Sequence, residues 1–139
     1  MRAYAATLLG VIAVAETACS SAHGYSERDV KNAFKTQGID LRVKAIKGRQ
    51  LRKHGDVVLG PTVRLPLLVG VIRSEKRAAG YYREFVAQKT ADTFDCLRRN
   101  VLTVSDGGLT IADRLRVQAA LQALKPKGTR VQCAPAIPE

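Results

Sequence analysis

The chain has 139 residues, 46% hydrophobic and 25% charged, with 23 Lys and Arg against 12 Asp and Glu for a net charge of +11. That balance excludes a disordered low-hydropathy tail, and the length supports one domain with its own core. The basic excess favours contact with lipid headgroups, acidic wall polymers or nucleic acid, set against a simply solvated cationic surface.

Arg2 is followed by an uncharged run of 13 residues, Ala3 to Ala15, and then by small residues up to Cys19 and Ser20. A transmembrane helix needs roughly 20 apolar residues. A cationic start, a short apolar centre and small residues at the end are instead the layout of a signal peptide. Thr17-Ala18-Cys19, with Ser20, Ser21 and Gly24 behind it, resembles the lipobox of bacterial lipoproteins, where an apolar residue and two small residues precede an invariant Cys. The resemblance covers about the first 25 residues and implies nothing about activity. It implies cleavage before Cys19, lipid attachment at Cys19 and a flexible tether after it. Glu16 departs from the pattern, standing where the motif has an apolar residue, and Ala13-Val14-Ala15 offers ordinary small-x-small cleavage after Ala15 as the alternative. The expected organisation is a signal peptide over 1–18, a tether over 19–25 and a single domain over 26–139. The domain is expected outside the cytosol, on the outer face of the cell membrane or secreted. Losing residues 1–18 removes one cation and one acid, so the excess of +11 stays with the domain.

The export reading also orders the cysteines. Of the three, Cys19 would carry lipid and leave Cys96 and Cys133 to pair in an oxidising space, the alternative being two buried thiols. Neither these two nor His23 and His54 show metal-ligand spacing, and no cofactor motif is present.

In chain order, Ser26 with Asp29 forms a capping box, and Val30, Ala33 and Phe34 recur at helical spacing, predicting a helix over 27–37 stopped at Gly38. Ile39, Leu41, Val43 and Ala45 then alternate with Asp40, Arg42 and Lys44, predicting a strand with one buried face. After a polar connection over 47–55, a second strand is expected over 56–59, ending at Gly60-Pro61. A third, over 65–72, reads as central because both faces are apolar, with Pro66 near its start. Ser74 caps a second helix to about Gln88, with Ala78, Tyr82 and Phe85 on one side. Residues 89–95 fit neither pattern. A fourth strand is expected over 98–105 from its β-branched content, ended by Asp106-Gly107-Gly108. Thr110 and Asp113 start a third helix with Val117, Ala120, Leu121 and Leu124 as its core stripe, ending before Pro126. The tail over 132–139 reads as irregular unless Cys133 ties it down.

The expected fold is therefore α+β in the order α-β-β-β-α-β-α, with a mixed four-stranded sheet and the helices on one face. Its third strand, second helix and fourth strand would form a β-α-β unit with parallel strands.

The densest chemical feature lies between Asp40 and Asp56, where Arg42, Lys44, Lys47, Arg49, Arg52 and Lys53 occur with no acid among them. Arg42 and Lys44 should project from one strand face, and the connection would extend the patch toward an anionic lipid or cell-wall polymer. A charge-protected edge strand is the competing account. Nucleic acid is disfavoured because no aromatics are interleaved for base stacking. The overall expectation is a non-enzymatic envelope domain with a basic face. The alternative is a cell-surface enzyme or enzyme-accessory domain using His54 beside Asp56 as an oriented base.

Overall fold

A computed structural model describes residues 24–44, 55–88, 92–125 and 128–137. The expected signal peptide, Cys19 and His23 lie outside them, as do Lys47, Arg49, Arg52, Lys53 and His54. The architecture is α+β: helix α1 (Glu27–Lys35), strands β1 (Leu41–Val43), β2 (Val57–Pro61) and β3 (Leu68–Val71), helix α2 (Glu75–Ala87), strands β4 (Asp95–Arg98) and β5 (Val101–Val104), helix α3 (Ile111–Gln122) and strand β6 (Gln132–Ala134). One sheet holds six strands in the order β1-β2-β3-β5-β4-β6, and every neighbouring pair is antiparallel.

The expected four-stranded mixed sheet is thus corrected to six antiparallel strands, for two local reasons. The segment expected as one strand over 98–105 is instead the turn and second arm of a tight hairpin. Arg98 pairs with Val101, and Arg99 turns the chain in the left-handed region at φ 51°. The C-terminal tail adds a sixth strand because Cys133 stands opposite Cys96 and a disulfide joins them. The β3-α2-β4 crossover exists, with β3 and β4 parallel, but β5 folds back between them, so the two strands are not neighbours.

The placement of the helices is corrected as well. Side chains alternate across a strand, and adjacent residues of β4 go to different clusters: Cys96 joins Val30, Phe34, Val117 and Leu121 of α1 and α3, whereas Leu97 joins Ala78 of α2. Helices α1 and α3 therefore cover one face of the sheet and α2 the other. The larger core fills the first face with Phe34, Ile39, Leu59, Phe94 and Leu124, each essentially inaccessible to water. On the second face α2 packs against β4 and β5, holding Tyr81 and Tyr82 half-buried. Phe85, expected on the packed side of α2, is 40% exposed. Burial and the nearby Asp95 carboxylate raise the Tyr82 phenol above its ordinary 10.0.

The caps follow the sequence. Ser26 and Asp29 form the reciprocal box on α1, and the Ser74 and Thr110 hydroxyls accept from the third helical amides of α2 and α3. All four expected core residues of the third helix are buried.

Two polar devices fix the sheet end where β4 turns into β5. The Asn100 side chain accepts from the Tyr25 amide at 2.7 Å and donates to the Tyr25 carbonyl at 2.8 Å, fastening the chain just before α1. Buried Arg98 donates to the Leu121 carbonyl near the end of α3 and lies 5.4 Å from the Tyr25 ring centre. A cation at a helix C-terminus compensates the helix dipole.

Candidate anion-binding face

On the edge strand β1, Leu41 turns into the core while Arg42 is exposed. Lys44 continues the pairing through its amide, which donates to the Val58 carbonyl at 2.8 Å. The period of two puts Arg42 and Lys44 on the sheet face that carries α2. Val43, expected with Leu41 on the buried face, is instead 57% exposed, because the edge strand runs past the core there.

This face is open toward β1 because α2 packs over β4 and β5 and because small residues line it. Gly60 stands opposite Arg42, and Gly70 on β3 stands opposite Val58 on the same face. The missing side chain at Gly60 makes room for Lys44: a Cβ there would come within 3.2 Å of Lys44 Cδ. The aliphatic stem of Lys44 therefore lies along the sheet while its ammonium remains exposed, a common solution for a long cationic side chain.

Two connected depressions result. One, of about 550 Å³, is bounded by Lys44, Pro61, Arg64, Leu65, Leu68, Val104 and Asp106. The other, of about 350 Å³, extends over Arg42, Lys44, Gly60, Pro61 and Thr62. Lys44 belongs to both, so Arg42, Lys44 and Arg64 form a row of exposed cations along an apolar floor of Pro61, Leu65, Leu68 and Val104. Asp106 is the acid at its margin, and none of the three cations has an ion-pair partner among the described residues.

Arg64 was not among the expected site residues. Its signal is faint: a cation in the connection after Gly60-Pro61, brought to the groove only because the chain crosses the end of β2 to reach β3. Of the residues considered for catalysis, Asp56 is buried and engaged structurally, accepting from the Arg73 amide at 2.8 Å and from Arg77 Nη2 at 2.5 Å. Among the described residues no group of three or more His, Cys, Asp or Glu is placed to hold a metal ion, and no helix is long and apolar enough to cross a membrane. No protein-family model, curated protein sequence or solved structure matches the chain.

Proposed function

We propose that this chain is an exported, membrane-anchored binding domain of the cell envelope, non-enzymatic, whose open sheet face takes an anionic partner. The row Arg42, Lys44 and Arg64 along a partly apolar groove carries the reading, because three exposed cations without acidic partners are positioned to meet successive negative groups. Two further features support it. The Cys96–Cys133 disulfide is of the kind that persists in oxidising compartments. The segment before the domain has the signal-peptide layout and the lipobox-like Thr17-Ala18-Cys19.

Two measurements test it. Intact mass of the protein from its native cell should show loss of residues 1–18, a diacylglyceryl adduct on Cys19 and a two-proton deficit for the disulfide; full-length chain with reduced sulfurs refutes export. Titration with inorganic polyphosphate should give salt-dependent binding. Each of Arg42→Gln, Lys44→Gln and Arg64→Gln should weaken it two- to five-fold, the range for exposed charge pairs. Equal affinity of all three variants and the parent removes the groove from the proposal.

A further inference from the structure

The strand register collects one end of the domain. Val57, Val71 and Val101 lie side by side across β2, β3 and β5. Tyr25 is fastened to Asn100 there, and the Arg73 amide binds Asp56 beside it. Arg98, from the same hairpin, reaches the last turn of α3 at Leu121. Both α1 and α2 begin at this end, α3 finishes at it, and the chain enters the domain there at Gly24.

Exposed cations belong to it: Arg28 in the first turn of α1, Arg73 and Lys76 around the start of α2, Lys125 just past α3, and Arg130, which the β4–β6 register carries to the hairpin turn. None has an ion-pair partner among the described residues, while each acid nearby is engaged: Glu27 by Lys31, Asp29 in the Ser26 box, Asp56 by Arg77 and Glu75 by Arg99. Helix dipoles make first turns unfavourable for cations and last turns favourable. In the first turn of α2, Glu75 is held by Arg99 and Arg77 by Asp56, whereas Lys76 meets no acid among the described residues, and the last turn has no basic residue. At the opposite end the exposed Asp40, Asp92 and Asp106 stand with exposed Lys35 and Arg64, so that end carries no comparable cationic excess.

We infer that this cationic end is the face the domain presents to an anionic bilayer surface. The inference rests on the envelope placement proposed above and adds an orientation to it. Gly24 is five residues from Cys19, a distance an extended chain covers in at most about 18 Å and a flexible one in about 12 Å. An anchor at Cys19 therefore holds this end within one or two Debye lengths of the headgroups, about 8 Å each at physiological salt. An anionic leaflet attracts each such cation by about five-fold in binding, and the charge asymmetry turns the domain to match. The Arg42, Lys44 and Arg64 groove, on a sheet face rather than at this end, is left free for its own partner.

The test uses the processed chain proposed above, residues 19–139 carrying Cys19→Ser, so that neither lipid nor the apolar run over 3–15 contributes to vesicle binding, with vesicles of 30% phosphatidylglycerol in phosphatidylcholine. The double variant Arg73→Gln with Lys76→Gln should bind about 25-fold more weakly than its parent. The charge-matched variant Lys35→Gln with Arg83→Gln, outside both this end and the groove, should lose less than five-fold. Equal losses from the two sets, or a larger loss from the second, overturn the inference, because net charge alone would then do the binding. Unchanged binding in both sets overturns it as well. Absence of lipid on Cys19 in native protein refutes the anchor separately, since the position dependence is measured without it.

Discussion

Substituting Asn100→Ala removes both hydrogen bonds that hold Tyr25. Asn100 and Tyr25 are 2% and 3% exposed, so the Tyr25 amide and carbonyl would both be left in a dry environment. Each unsatisfied group costs about 1–3 kcal/mol; with some water admitted to the vacated space, the expected total is about 3 kcal/mol. That is a large part of the roughly 5–15 kcal/mol that stabilises a typical domain. Gly24 supplies an internal check. It sits at φ +82°, and a methyl group there would overlap the Asn100 side-chain amide. Gly24→Ala should therefore destabilise through left-handed strain of about 1 kcal/mol and also by expelling Asn100. Once Asn100 is Ala the overlap with its side-chain amide is gone and only a 3.1 Å contact to Cβ remains, so the double variant should be about 1 kcal/mol more stable than the sum of the singles implies. Urea unfolding followed by circular dichroism measures all four proteins, and hydrogen exchange at the Tyr25 amide reports the local release. Strict additivity, or a Tyr25 amide still protected in Asn100→Ala, would refute this account of how the domain entrance is fastened.

Two further outcomes are expected. Cys96→Ser with Cys133→Ser opens a crosslink between residues 37 apart, worth about 4 kcal/mol on the chain-entropy estimate; guanidinium unfolding should show that loss, with β6 amides the first to exchange, and an unchanged midpoint would contradict it. Asp56→Ala strips Arg77 and the Arg73 amide of their acceptor and should cost about 3 kcal/mol, the lower end for a broken buried pair because the Arg77 side chain is 31% exposed and can turn to water; thermal unfolding checks it, and a stability within 1 kcal/mol of the parent contradicts it.

Local signals carried much of the fold. The Ser26, Ser74 and Thr110 caps and the Val117-Ala120-Leu121-Leu124 stripe were legible because each depends on residues within two turns of one another. The β4–β5 hairpin was not, because its turn lacks the usual Gly. Arg99 occupies the left-handed position instead, tied to Glu75 at 2.9 Å and lying 5.6 Å from the Tyr25 ring centre, contacts from distant parts of the sequence that outweigh local preference. Asn100, of a residue type common in turns, sits inside a β-branched run and reads as strand. Missing that turn hid β4 and made the β3-α2-β4 connection look like a neighbouring parallel pair. Alternation around Leu41 sufficed to put Arg42 and Lys44 on one face. Arg64 joins them only through the path of the chain between β2 and β3, and the clustering of Arg28, Arg73, Lys76 and Lys125 requires the register of the whole sheet.

The β4–β5 hairpin receives both flanks of the domain: residue 25 is held by Asn100 at its turn, and β6 is joined covalently to Cys96 in its first arm. Tension between the segment before Gly24 and the segment after Ala134 therefore has a short route, through two hydrogen bonds, five residues of hairpin and one sulfur bridge. The groove strands β1 to β3 lie off that route and bear little of the load. A pull on the segment before Gly24 would yield first at Asn100, leaving the groove intact.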